Sequence, residues 1–297
     1  MKTSSHILLL AATLLASAAC TAAQDDDLTK WVDTKIGTGG HGHVFVGANV
    51  PFGMVQLGPT SIPQQWDWCS GYHESDSTVI GFSHTHLSGT GIGDLFDITV
   101  MPVVGSVTYA RGTEDAPESG LWSYGDRIRE VSVPGYYSIP LERYGVLAEL
   151  TATERVGMHR YTFPASDDAA IVFDLVNGGC WDKATDTHIR VESNRRISGW
   201  RHSTGWAKNQ KVFFTAEVSE PFCAVELIDG EGRALENLSS DAASAKFCRL
   251  RFRTSEGQKI LLKVALSPVS VEGSALNLEV ELPGWDFDGT AGAARDC

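Results

Sequence analysis

The sequence predicts an all-β protein, built as a large antiparallel β-sandwich with few short helices. Runs rich in β-branched and aromatic residues recur along most of the chain, and glycine-containing turns separate them. No sustained helical periodicity appears before the last segment. Many strands in sequence favour a sandwich, and 297 residues with 42% hydrophobic content allow one large domain of this type.

The predicted strands follow one another after a stretch at residues 28–35 that is at most a short helix. They cover residues 96–104, 128–133, 146–152, 157–163, 169–176, 188–192, 212–218, 222–228, 247–253 and 260–266. Within 157–163, His159, Tyr161 and Phe163 alternate with the residues between them, which is typical of a sheet with one wetter face.

Residues 1–23 have the pattern of a signal peptide. Lys2 supplies the positive end, residues 7–15 the apolar run, and residues 16–19 the small cleavage region. Cleavage before Cys20 would leave a lipid-anchored cysteine, whereas cleavage after Ala23 would release a soluble protein. Export predicts the periplasm, or an outer-membrane or cell-surface lipoprotein.

Charge and cysteine content narrow the possible partners. The net charge of −13 argues against a nucleic-acid partner. Export permits disulfides, but without Cys20 five of the six cysteines remain, which is an odd number. Cys69 is expected to be a free thiol, and Cys180, Cys223 and Cys248 to be buried as small hydrophobic residues.

The last segment of the sequence indicates where the β-sandwich ends. Residues 274–282 carry alternating apolar side chains that end at Pro283, and residues 289–297 offer no cap, core or closing strand. The β-sandwich is therefore expected to occupy residues 24–282 and a linker to begin at 283–297. Trp285 and Phe287 would then be exposed apolar surface.

The segment Trp66-Asp67-Trp68 is the first candidate site. A pyranose presents apolar C–H faces and a rim of hydroxyl groups, so aromatic rings beside a carboxylate suit it. Both tryptophans could equally be core residues. Their position in a loop-like stretch with Cys69 and Gly71 favours a pocket.

Two His-x-His pairs, His41/His43 and His84/His86, are the second candidate. In extended backbone, residues two apart point to the same face, so each pair could reach one ligand. Together with Cys69 or His73 they could bind zinc. Because the motif is common, hydrogen bonding to loop backbone or sugar hydroxyls is favoured over zinc.

Carboxylates near these motifs could serve glycoside hydrolysis, which needs an acid and a base or nucleophile. They are Asp67, Glu74, Asp76, Asp94 and Asp97, and the sequence fixes no separation between any two. The glycine-rich stretch 37–42 lacks the strand and helix of a dinucleotide loop and is rejected as one.

The same residues resemble the N-terminal domain of glycoside hydrolase family 92, bacterial exo-acting α-mannosidases. The matching stretches are 36–45 (IGTGGHGHVF), 51–59 (PFGMVQLGP), 66–72 (WDWCSGY), 81–94 (GFSHTHLSGTGIGD) and 283–288 (PGWDFD). The resemblance implies a galactose-mutarotase-like supersandwich that is followed in the family by a helical domain. It also implies calcium-assisted, inverting hydrolysis of terminal mannose at the interface of the two domains.

The resemblance places the catalytic acid, the catalytic base and most calcium ligands in the helical domain, which this chain is expected to lack. No catalytic residue and no metal ligand is therefore expected here. The residues that it implies as sugar contacts are Gly40, His41, Asp67, Trp68, Cys69, His84 and His86.

Three hypotheses follow. The first is the substrate-binding domain of a truncated α-mannosidase, inactive alone, whose partners are mannose-containing glycans and the missing helical domain. The second is a non-catalytic carbohydrate-binding surface module. The third is a metal-dependent hydrolase that uses the histidines of this chain.

Overall fold

A computed structural model describes residues 27–116, 118–177, 181–235 and 245–297. The predicted signal peptide, Cys20 and Cys180 lie outside the described residues. The chain divides into two units, residues 1–32 and residues 33–297. In the described part of the first unit, Leu28–Trp31 forms a 3-10 helix whose N-cap carboxylate, Asp27, accepts a hydrogen bond from the Thr29 N–H.

Most of the regular secondary structure in the described part of the second unit is β-strand. Its strands are β1 (Gly58–Thr60), β2 (Thr78–Val79), β3 (Gly81–Ser83), β4 (Thr99–Val104), β5 (Ser123–Tyr124), β6 (Val131–Val133), β7 (Tyr136–Leu141), β8 (Val146–Ala152), β9 (Val156–Phe163), β10 (Ser166–Asp174), β11 (Lys183–Val191), β12 (Arg196–Thr204), β13 (Gln210–Val218), β14 (Ala224–Ile228), β15 (Phe247–Thr254) and β16 (Gln258–Ser267). Its helices are α1 (Val271–Glu281) and α2 (Phe287–Asp296), with a 3-10 turn at Trp66–Trp68.

The strands of residues 33–297 form two large antiparallel sheets and one small one. One sheet has the order β1-β3-β4-β10-β15-β14, the other β11-β12-β13-β16-β9-β8-β7-β6, and β2 pairs with β5. Buried side chains from both large sheets share one core, in which the rings of Phe173 on β10 and Phe214 on β13 stack with centroids 6.0 Å apart. The predicted all-β sandwich is confirmed.

Strand β9 shows how the sequence pattern produces the packing. His159, Tyr161 and Phe163 are buried in the core, while Arg160 and Thr162 are half-buried, as the alternation predicted. Met158 lies on the wetter face but is also buried, because a second apolar cluster with Leu278 of α1 and Phe287 of α2 covers it.

The carboxyl-terminal segment differs from the prediction. The Asp286 carboxylate accepts a hydrogen bond from the Gly289 N–H and so caps α2, because aspartate satisfies the free N–H groups of a first helical turn. Phe287 is only 3% exposed, and the Arg160 guanidinium lies 4.2 Å from its ring centroid. The prediction of an exposed Phe287 is therefore wrong, and residues 289–297, which supply no cap of their own, belong largely to a helix that Asp286 caps.

Six strands escaped prediction: β1, β2, β3 and β5 have only two or three residues each, whereas the longer β7 and β12 were missed for local reasons. β7 contains Pro140, which cannot donate a ladder hydrogen bond, and β12 contains Gly199, which weakens a strand signal. A Cβ at Gly199 would lie 1.9 Å from the His188 carbonyl oxygen, so the glycine permits close approach of β11.

The cysteine predictions are met in part. Cys69 and Cys248 are buried free thiols. The predicted burial of Cys223 is wrong: it is exposed, because it directly precedes β14 at the edge of its sheet. Within the described ranges, no helix is long and apolar enough to cross a membrane.

Candidate functional site

The glycine-histidine loop, residues 37–45, folds back on itself tightly. The Val44 N–H donates a 3.2 Å hydrogen bond to the Gly37 carbonyl, and a Cβ at Gly42 would lie 1.9 Å from that oxygen. Gly37 and Gly40 have φ of +84° and +55°, which glycine adopts without strain. His43 has φ of +55°, a conformation that is unusual for a residue with a side chain.

This backbone brings both histidines of the loop to one carboxylate. His41 Nδ1 lies 2.6 Å from Asp67 Oδ1, and His43 Nε2 lies 3.1 Å from the same oxygen. The His41 side chain is 78% exposed, whereas that of His43 is buried. The hydrogen bond from His41 is the main reason that the pKa of Asp67 lies below its usual value, so Asp67 is a carboxylate at neutral pH.

Trp66 forms the aromatic side of this group. Its ring is 52% exposed and packs edge-on against His43 with centroids 4.2 Å apart. The Trp66 Nε1–H donates a 2.9 Å hydrogen bond to the Gly91 carbonyl, which fixes the ring. We call His41, His43, Trp66 and Asp67 the histidine–aspartate cluster.

A further loop, residues 88–94, is hydrogen-bonded to the glycine-histidine loop. The Gly89 N–H donates to the His43 carbonyl at 2.6 Å, and the Phe45 N–H donates to Ser88 Oγ at 3.1 Å. Gly89 and Gly91 have φ of +71° and +65°, which glycine adopts without strain. The cluster therefore presents a carboxylate, a solvent-facing imidazole and an aromatic face on one rigid surface.

Comparison with known proteins gives the chain a family. Residues 31–267 match the glycosyl hydrolase family 92 N-terminal domain. The chain belongs to this family. An uncharacterized secreted glycosidase of Arthroderma benhamiae is 30% identical to it over 90% of this family 92 chain and 37% of its own length.

Solved structures of the family share the fold. A family 92 α-mannosidase of Bacteroides thetaiotaomicron in complex with mannoimidazole is 33% identical, with a TM-score of 0.86 over 91% of this chain and 36% of its own. An inverting mannosidase of the same organism, 24% identical with a TM-score of 0.75 over 93% of this chain and 36% of its own, shares the fold. The family 92 chain thus spans about a third of the length of these relatives.

The other sugar contacts implied by the resemblance lie in varied environments. Gly40 is exposed on the loop beside His41. Trp68 is half-buried, stacks on His73 with centroids 4.4 Å apart, and donates its Nε1–H to Asp76 at 2.6 Å. Cys69 is buried, and burial raises the pKa of its thiol. Gly40 and Trp68 are chain neighbours of His41 and Asp67, and the contact of Gly40, Trp68 and Cys69 with sugar stays a prediction.

His84 and His86 are both buried. The His84 Nδ1–H donates to the Ile98 carbonyl at 2.6 Å, and its Nε2 lies 3.0 Å from His159 Nε2. His86 Nδ1 donates to the Gln56 carbonyl at 2.7 Å. His84 has no exposed surface and both its nitrogens are paired, and the contact of His84 and His86 with sugar stays a prediction.

Three of the nearby carboxylates have structural partners. Asp97 forms a buried ion pair with Arg201 at 2.7 Å, and Arg201 also bonds Asp182. Asp94 accepts from the Ala207 N–H at 3.0 Å, and Asp76 accepts from Trp68. Asp67 therefore differs from them in being partly exposed beside an open aromatic ring.

Sequence reasoning noticed His43 and Trp66 but left them out of the predicted sugar contacts. The signals were present in the His41-Gly42-His43 spacing and in the Trp66-Asp67-Trp68 segment. The sequence does not show that His43 approaches Asp67, because the two residues are 24 positions apart.

A groove of about 570 Å³ lies away from the cluster residues, between the end of β8 and α2.

Proposed function

We propose that this family 92 domain binds a terminal mannose residue of a glycan as part of a mannosidase-like glycosidase. The observation that carries the proposal is the Asp67 carboxylate, held by two histidines beside the half-exposed ring of Trp66. An aromatic face suits the C–H side of a pyranose, and a carboxylate accepts hydrogen bonds from adjacent hydroxyls.

The catalytic groups belong, in this proposal, to a helical domain such as family members carry after the sandwich. Hydrolysis with inversion needs a carboxylic acid and a carboxylate on opposite sides of the scissile bond. Support comes from the structural roles of Asp76, Asp94 and Asp97, which leave them paired within the domain.

Calcium would, in the same proposal, be bound mainly by the helical domain. Calcium takes six to eight oxygen ligands. Among the described residues, His41, His43 and Asp67 form a group of three potential metal ligands, and they offer two nitrogens and one carboxylate. These residues do not fit calcium, and the sugar-binding role proposed here does not depend on it.

The proposal includes export. The signal-peptide pattern of residues 1–23 supports it, as does the description of the Arthroderma benhamiae relative as secreted. In the same proposal, the exported chain is attached to a lipid through Cys20. Mass spectrometry of the mature chain distinguishes a diacylglyceryl Cys20 from a free amino terminus at residue 24.

Mannose binding by the 297-residue chain tests the proposal directly. Titration calorimetry in EDTA should give saturable binding that Asp67→Ala and Trp66→Ala each weaken about tenfold. Asp126→Ala is the matched control. The Arg129 side chain lowers the pKa of Asp126, as His41 lowers that of Asp67, but Asp126 is far from the cluster residues in the sequence. Absence of mannose binding, or equal weakening by the control, would overturn the proposal.

Release of mannose from an α-1,2-linked mannobiose tests whether the catalytic groups lie outside these 297 residues. The chain alone should release none, with calcium or with EDTA. Calcium-dependent release would instead place the catalytic carboxylates within these 297 residues.

A further inference from the structure

We infer that His41, His43 and Asp67 form a binding site for a divalent transition metal of the zinc class. Their potential ligand atoms, His41 Nδ1, His43 Nε2 and Asp67 Oδ1, lie within 4.8 Å of one another. Ligand atoms around a tetrahedral zinc ion lie about 3.3 Å apart, given metal–ligand distances of about 2.0–2.2 Å. Small side-chain rotations therefore bring all three onto one ion.

The ligand set selects the class of metal. Two imidazole nitrogens and one carboxylate oxygen suit zinc, cobalt, nickel or iron, whereas calcium and magnesium prefer oxygen ligands. The exposed side of His41 leaves a fourth position open to water or to a ligand. Such an open position is typical of sites with three protein ligands.

The backbone holds the ligands in place before a metal arrives. His43 keeps a left-handed φ of +55°, and its carbonyl is held by the Gly89 N–H at 2.6 Å. Trp66 packs against the His43 ring and is itself held by the Gly91 carbonyl. A strained residue persists only when its surroundings fix it, and such residues concentrate at ligand sites.

From the sequence, hydrogen bonding was favoured over zinc because the His-x-His motif is common, and the motif itself contains no carboxylate. Asp67 supplies that carboxylate from another loop. When the ion binds, it takes the place between the rings and Asp67 Oδ1. The protons that His41 Nδ1 and His43 Nε2 donate to that oxygen are released to water, and each ring then presents a lone pair on that nitrogen while its other nitrogen carries the remaining proton. This site goes beyond the proposed sugar binding, which is measured in EDTA and so succeeds or fails independently.

Cobalt titration of the metal-free, full 297-residue chain tests the site. Cys223→Ser/Cys297→Ser serves as the background, because these exposed thiols could bind cobalt themselves. One equivalent of Co²⁺ should produce visible d–d absorption without a thiolate charge-transfer band, and Zn²⁺ should displace it. His43→Gln and Asp67→Asn should each lower the apparent affinity by more than about 100-fold, beyond the effect of losing an outer partner.

His202→Gln is the matched control, because His202 Nδ1 lies 3.6 Å from the Asp186 carboxylate without a second histidine ligand beside it. It should leave the titration unchanged. Circular dichroism should show that the variants keep the fold of the parent. Absence of stoichiometric cobalt binding, or a titration that folded His43→Gln and Asp67→Asn leave unchanged, would overturn the site.

Discussion

His41 and His43 lie on a surface loop beside a carboxylate, whereas His84 and His86 lie in the interior beside carbonyl groups. The two pairs have the same His-x-His spacing. The difference shows that the spacing aligns two rings but does not decide their role. Burial and the hydrogen-bond partner decide it, since a carboxylate favours a charged or metal-bound imidazole, whereas burial keeps the interior pair neutral although its carbonyl partners favour the charged form.

One member of the interior pair, His84, belongs to a hydrogen-bonded chain with defined proton positions. Because the Ile98 carbonyl can only accept, His84 carries its proton on Nδ1, and its Nε2 accepts from His159 Nε2–H. His159 Nδ1 then accepts from the Tyr161 hydroxyl at 2.7 Å. Burial lowers the pKa of His84 to about 4 and that of His159 well below its ordinary value, so both are neutral.

The largest expected difference between the regions is in stability. His159→Leu leaves His84 Nε2 and the Tyr161 hydroxyl buried without their partner, and should lower the free energy of unfolding by about 3 kcal/mol. His41→Leu, at an exposed position, should change it by less than about 0.5 kcal/mol. Urea denaturation measures both. Equal losses would remove the distinction between the two motifs.

Acid sensitivity should also belong to the interior pair. Burial lowers the pKa of His86 to about 3 and that of His84 to about 4 in the folded protein, while the ordinary value is 6.5. Between these values the unfolded chain binds more protons, so stability is complete above about pH 6.5 and falls as the pH drops toward 4.

His86→Gln isolates this effect. It should reduce the slope of unfolding free energy against pH by up to about 1.4 kcal/mol per pH unit, since one fewer histidine takes up a proton on unfolding. Carboxylates contribute equally to the pH dependence of unfolding in the parent and in the variant, so their contribution cancels when the two slopes are compared. Denaturant unfolding at pH 7, 6 and 5 gives the two slopes, and identical slopes would contradict the assignment.

The smallest expected effect separates the two tryptophans that flank Asp67. Trp66→Ala should weaken mannose binding about tenfold and leave unfolding nearly unchanged, because the ring is half-exposed. Trp68→Ala should instead lower the free energy of unfolding by about 1–2 kcal/mol, because it loses the contacts with His73 and Asp76. Calorimetry and thermal unfolding of both variants measure the contrast. The reverse result would make Trp68 the sugar platform.

Much of the sandwich was predictable because strand patterning is local. Val146–Ala152 was predicted with its observed bounds, and most other strands within a few residues. Of the missed strands, β1, β2, β3 and β5 have only two or three residues, and β7 and β12 contain a proline and a glycine whose tolerance depends on neighbouring strands. Helix α2 was missed because its apolar anchor, Phe287, needs the second core cluster to become buried.

The candidate site was predictable only in its parts. The sequence marks Asp67 and the His41/His43 pair as candidate site residues. Their convergence depends on backbone conformations, such as the left-handed His43, that local propensity disfavours. The burial of His84 depends on its pairing with His159, 75 positions away in the chain.

The left-handed backbone of His43 has a consequence for the mutational tolerance of the chain. Glycine at this position would relieve about 1 kcal/mol of conformational strain but would remove the imidazole from Asp67. A library selected for folding should therefore enrich glycine at position 43, whereas one selected for ligand binding should retain histidine. Opposed preferences at one position are the signature of a trade-off between stability and activity.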